Sequence, residues 1–103
     1  MALFNVTEIL SGNRIRVTGW NWSTHSGTDV IIAGYNPTQG AQAIAKLNED
    51  LAKARLTSLI NGKDVELGKV YHVNSEGSIT CLVFYNGVDV AKYFPEYTQT
   101  QHY

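Results

Sequence analysis

The sequence predicts a mainly β domain with one long helix, in the order β-β-β-α-β-β-α, and three features carry that reading. Between Arg14 and Thr18, polar residues alternate with Ile15 and Val17, which is the period of a half-buried strand. From Asn36 to Ile60 the spacing changes to that of a helix, opened by Asn36-Pro37 and closed by Asn61-Gly62. A second Asn-Gly pair, Asn86-Gly87, ends the last apolar run with a strong turn signal.

The elements follow in order. Phe4–Leu10 alternates loosely and ends at the turn triplet Ser11-Gly12-Asn13. Arg14–Trp22 is the second strand, Ser23–Gly27 a polar hairpin tip and Thr28–Ala33 a short buried strand, giving a three-stranded meander. The helix should start at Pro37, capped by Asn36 and with Gln39 placed for a capping box. Ile44, Leu47, Leu51 and Ala54 form one apolar stripe expected to face the core, with Lys46, Glu49, Asp50 and Lys53 on the solvated side. Lys63–Leu67 and Ser78–Tyr85 are the next strands, and Asp89–Phe94 a final short helix stopped by Pro95. Residues 1–95 make one domain and residues 96–103 a loose polar tail.

Composition narrows the function. With 103 residues, 44% hydrophobic and 17% charged, the chain can bury one core without disulfides. A net charge of −1 lacks the basic excess of most nucleic-acid modules, so any such site must be a local patch. The single cysteine, Cys81, rules out an intrachain disulfide. It leans towards a reducing compartment, and MALFNVTEIL reads as a first strand rather than a signal peptide, which together favour a cytoplasmic setting. No apolar run approaches the length that spans a bilayer, so no membrane partner is expected.

The order of elements is compatible with the five-stranded OB barrel, in which a helix lies between the third and fourth strands. Ser11-Gly12-Asn13-Arg14-Ile15, Val30–Thr38, Ala54–Val65, Asn74–Ser78 and Asn86–Ala91 follow one another in an order and spacing that resembles the staphylococcal-nuclease branch of that fold. The match runs over residues 4–94, and its best segment is the Ala-Arg…Leu-Ile-Asn-Gly-Lys-Asp-Val corner. In enzymes of this family, aspartates hold a calcium ion, a glutamate positions the attacking water and two arginines stabilise the phosphate. By position the resemblance assigns those roles to Asn13 and Tyr35, to Thr38, and to Val30 and Ser78. None of these side chains can perform them: an amide and a phenol make a poor calcium site, and no arginine lies between residues 17 and 54 or after Arg55. The resemblance therefore implies a nuclease-like barrel that is not an enzyme and carries no cofactor.

Other constellations are sparse. His25, His72 and His102 are far apart without zinc spacing, and Cys81 reads as a buried structural thiol. Asp29 and Glu76 are the carboxylates a degenerate metal-dependent nuclease would use. Arg14, Arg16, Trp20 and Trp22 share one hairpin and are the candidate site for single-stranded nucleic acid, by stacking and phosphate contacts. Family enzymes carry a further C-terminal helix. Without it Tyr93, Phe94 and Tyr97 should stay partly uncovered and form an interface, for self-association or for another protein.

Overall fold

The computed structural model describes residues 3–22, 24–37 and 42–97. Its strands are β1 (Phe4–Ser11), β2 (Arg14–Trp22), β3 (His25–Ile32), β4 (Asp64–Asn74), β5 (Ser78–Tyr85) and the two-residue β6 (Val88–Asp89), with one helix, α1 (Gln42–Ile60), between β3 and β4. β1, β2 and β3 form the expected antiparallel meander; β1 also pairs with β4, and β4 with β5. A parallel pairing of β3 with β5, Asp29–Ile32 against Ser78–Cys81, joins the two ends of the sheet. The ring β1-β2-β3-β5-β4 is thus a closed five-stranded barrel compatible with an OB-like fold, and β6 extends β5.

Alternation decides what fills the barrel. Ile15, Val17, Val30, Ile32, Ile79, Cys81 and Val83 point inward and are buried, and Leu56 and Ile60 of α1 complete the core from one end. The turn residues act as their types require: Gly62 (φ 78°) supplies the left-handed residue after α1, and Asn86 (φ 53°) with Gly87 (φ 78°) reverses β5 into β6.

Several boundaries differ from expectation. β4 runs on to Asn74 rather than ending at Leu67, because Gly68 is a bulge and not a break. A Cβ there would meet the edge of the Phe84 ring at 2.6 Å, so a larger residue at this bulge would require that ring to shift. Asn36 and Pro37 precede α1, whose described part begins at Gln42; the stretch between them, with the expected Gln39, lies outside the described residues. The final helix is two 3-10 turns, Val90–Tyr93 capped by Asp89 and Pro95–Tyr97.

The largest correction concerns α1. Its barrel-facing side is Ala52, Leu56 and Ile60, while Ile44 (57% exposed), Leu47 (58%), Leu51 (53%) and Ala54 face outward. The helix carries apolar residues on two opposite sides, and packing selected the side nearest its Gly62 corner, where Lys63 N–H bonds the Ile60 carbonyl and Gly62 N–H bonds that of Val6. Glu49, expected on the solvated side, turns instead towards the β1–β2 turn.

Candidate functional site

The Ser11–Arg14 turn between β1 and β2 is tied to the rest of the fold through Gly12. The Tyr35 hydroxyl donates to the Gly12 carbonyl at 2.6 Å, and the Gly12 N–H donates to Glu49 Oε1 at 2.5 Å. Both backbone polar groups of Gly12 are therefore satisfied from outside the turn. Tyr35 is buried, and burial together with the nearby Glu49 charge pushes its phenol well above the usual range, so it stays a neutral donor. Asn13 uses its carbonyl to accept the Ile32 N–H at 2.7 Å. Val30 is core, and Ser78, buried on β5, pairs with Asp29 at the end of the β3–β5 pairing away from Asn13. The positions assigned by resemblance are thus not gathered into one pocket; Thr38 lies outside the described residues.

The hairpin residues separate in a similar way. Arg16 lies between two carboxylates, its Nε 3.0 Å from Asp29 Oδ1 and its Nη1 3.1 Å from Glu8 Oε1, across neighbouring strands of the barrel exterior. Those two acids raise its pKa, Asp29 foremost, so its charge is already balanced. Trp20 is buried, with its indole N–H donated to the Asp29 carbonyl at 2.9 Å, and offers no face for stacking. Arg14 is half-buried and its Nε–H has no hydrogen-bond partner among the described residues. Trp22 alone of the pair is half-exposed; it lines, with Phe4, Trp20, Leu67, Val70 and Ile79, an apolar groove of about 120 Å³. The groove opens where β1 runs out at Phe4 while β2 and β4 continue on either side.

The expected C-terminal patch is also corrected. Phe94 is fully buried and Tyr97 nearly so; only Tyr93 remains partly exposed. Phe94 stacks on Tyr35 with ring centroids 4.3 Å apart and planes 1° from parallel, and Tyr97 tilts against it at 6.3 Å. Arg55 of α1 lies over the outer side of Phe94, 5.1 Å from its centroid, grips Glu96 with two 2.8 Å hydrogen bonds and donates to the Tyr93 carbonyl. The Asn36 N–H bonds the Tyr97 carbonyl at 2.9 Å. Residues 95–97 therefore close one end of the barrel themselves, so the first part of the expected tail is docked; residues 98–103 lie outside the described ones.

This clamp has a pH signature. Arg55 holds the Glu96 carboxyl at about 2, well below its ordinary value, so the pair stabilises the fold above about pH 4.5 and is lost as pH falls towards 2. Because Glu96 is about half-exposed, solvent screening keeps the contribution to roughly 1 kcal/mol or less. Urea melts should show Glu96→Gln less stable than wild type at pH 7 and equal to it near pH 2; a difference independent of pH would assign the effect to packing.

Cys81 is buried in β5, which pushes its thiol up to about 12 and leaves it inert at neutral pH. His25 and His72 are exposed and His102 lies outside the described residues. Asp29 is bound to Arg16, and Glu76 donates its N–H to Asn74 Oδ1 at 2.7 Å. Among the described residues no group of three or more His, Cys, Asp or Glu is placed to hold a metal ion, and no helix is long and apolar enough to cross a membrane.

Compared with protein-family models, curated proteins and solved structures, the chain finds no match. What the surface offers is therefore the guide to function. The feature that sequence reasoning misplaced, the outward Ile44-Leu47-Leu51 stripe, gathers three of the exposed large apolar side chains among the described residues on one element. Its signal was present as helical spacing, but spacing does not say which of two apolar sides meets the barrel.

Proposed function

We propose that the chain is a non-catalytic module of the staphylococcal-nuclease-like OB type that works by protein–protein contact, including self-association. The observation that carries this reading is the half-exposed row Ile44, Leu47 and Leu51 on the outer side of α1. Aliphatic side chains gathered on one helix face and left in water favour association, since burying each removes apolar surface from solvent. The nuclease-like part rests on the order of elements and motifs. Its non-catalytic part rests on side chains at the positions the resemblance assigns: Tyr35 donates its hydroxyl to the Gly12 carbonyl and Val30 packs in the core; the nearby cation Arg16, which has no assigned role, is matched by two acids.

A single-stranded nucleic-acid module is the lesser reading. Of its four proposed residues only Trp22 presents an open ring face, and Arg16 would have to leave two carboxylates to reach a phosphate.

Pure protein mixed with labelled single-stranded DNA or RNA and calcium should give no cleavage above a protein-free control, and tryptophan emission should not be quenched at low salt. Calcium-dependent products would overturn the non-catalytic reading, and salt-sensitive quenching would move the function to the hairpin.

A further inference from the structure

We propose that Asn86 is a site of spontaneous covalent modification in the folded protein. Its side-chain amide is lost to attack by the Gly87 backbone nitrogen, while the fold holds the other Asn-Gly pair, Asn61-Gly62, against the same reaction. The inference does not depend on the interaction reading above.

The chemistry needs only the two residues and water. The Gly87 nitrogen gives up its proton to solvent base and bonds to the side-chain carbonyl carbon of Asn86. The bond from that carbon to Nδ2 breaks, the nitrogen regains a proton and leaves as ammonia, and a five-membered imide joins side chain to main chain. Water then opens the ring at either carbonyl, leaving an aspartyl or an isoaspartyl residue. In sum an amide and a water become an acid and ammonia, with no oxidant, reductant or cofactor. A following glycine favours the attack, since it has no Cβ to crowd the nitrogen or restrict the rotation that aims it.

Both pairs have that sequence and both asparagines are exposed, so neither composition nor exposure ranks them. Their hydrogen bonds do. The Gly62 N–H donates to the Val6 carbonyl at 2.9 Å, and the Gly62 carbonyl accepts from Asn5 Nδ2 at 3.1 Å. For its nitrogen to attack, Gly62 would have to leave β1 and open the corner that joins α1 to β4. Asn74, followed by the small Ser75, is restrained through its side chain, whose Oδ1 accepts the Glu76 N–H at 2.7 Å.

At Asn86 neither restraint exists. Among the described residues the Gly87 N–H and the Asn86 side chain have no hydrogen-bond partner. Asn86 is also the one non-glycine residue among them with a left-handed backbone, a conformation an L-residue keeps only while the tight turn holds. The strand beyond it, β6, has two residues and two register pairs with β5, at the open end of the strand order. Opening this turn therefore asks far less of the barrel than opening the Gly62 corner.

The test follows the whole chain in a mildly alkaline, ammonium-free buffer, with tryptic peptides read by mass spectrometry. Asn61 falls in the peptide 56–63, and Asn74 and Asn86 in 70–92, where fragment ions separate them. In the folded protein, conversion at Asn86 should be at least about tenfold faster than at Asn61 or Asn74. In concentrated guanidinium chloride the two Asn-Gly pairs should react at similar rates, because the partners that separate them are gone. Asn86→Gly, which suits the positive φ of that position, should abolish the main acidic species that ion exchange resolves after incubation. Equal rates at Asn61 and Asn86 in the folded chain, or a folded Asn86 that stays intact while the unfolded chain converts, would overturn the inference. So would a preference for Asn86 that survives unfolding, or an acidic species that persists in Asn86→Gly.

Discussion

Replacing Phe94 by alanine is expected to lower the free energy of unfolding by about 3–5 kcal/mol, read from urea melts near neutral pH. Phe94 is fully buried and sits between the Tyr35 ring on one side and the Arg55 guanidinium on the other. Its removal leaves a cavity, breaks a stacked aromatic pair and uncouples residues 95–97 from the barrel end. A loss of that size is a large share of what holds a domain this small together. Phe94→Leu should recover about half of it by refilling the volume without the stack. Tyr93→Ala, one residue away but 40% exposed, should stay within about 1 kcal/mol of wild type. Equal losses at the two positions would contradict the assignment of Phe94 to the core and Tyr93 to the surface.

Gly27→Ala is expected to be nearly as disruptive, about 3 kcal/mol, for a different reason. A Cβ on Gly27 would land on the backbone of Gly77, where the tip of the β2–β3 hairpin crosses the β4–β5 turn. Backbone cannot step aside as a side chain can, so the two tips must separate. The weak Asp29 N–H to Gly77 carbonyl bond (3.4 Å) that begins the parallel β3–β5 pairing goes with them. Gly62→Ala is the informative comparison: its Cβ meets nothing, but its φ of +78° is costly for an L-residue, so about 1–2 kcal/mol is expected there. If Gly27→Ala unfolds at the wild-type midpoint, the barrel is not closed at that crossing.

Both expectations concern closure, and closure is where the sequence was least readable. Strand alternation marked Ile15 and Val17 as inward and Arg14 and Arg16 as outward, because in a strand the side-chain direction follows from position alone. It could not report that Arg16 would be met by Glu8 from β1 and Asp29 from β3, since those partners come from register between strands. The indole of Trp20 is similar. Nothing local separates it from Trp22, yet the irregular register between Arg16 and Trp20, at Gly19, turns Trp20 into the core and leaves Trp22 at the groove.

The candidate interaction surface was legible only in part. Ile44, Leu47 and Leu51 were identifiable as a helical stripe, but assigned to the core; Tyr93, Phe94 and Tyr97 were identifiable as apolar, but assigned to the surface. The two reversals have separate sources. On α1 it is the side carrying Ala52, Leu56 and Ile60 that packs on the barrel. The docked 3-10 turn at Pro95–Tyr97 covers Phe94 with chain that its polar composition marked as loose, and it is held there by Arg55 from α1.

From the residues alone come the order of elements, the shared face of Ile15 and Val17 opposite Arg14 and Arg16, the turns at Gly62 and Asn86-Gly87, and the confinement of arginine to positions 14, 16 and 55. These follow from local stereochemistry and from side-chain chemistry, which travel with the chain whatever it packs against. The assembled barrel decided which side of α1 is buried, where Trp20 and Phe94 lie and which charges neutralise Arg16 and Glu96. Such choices compare the fit of whole surfaces brought together from distant parts of the chain, and no window of sequence contains both halves of that comparison.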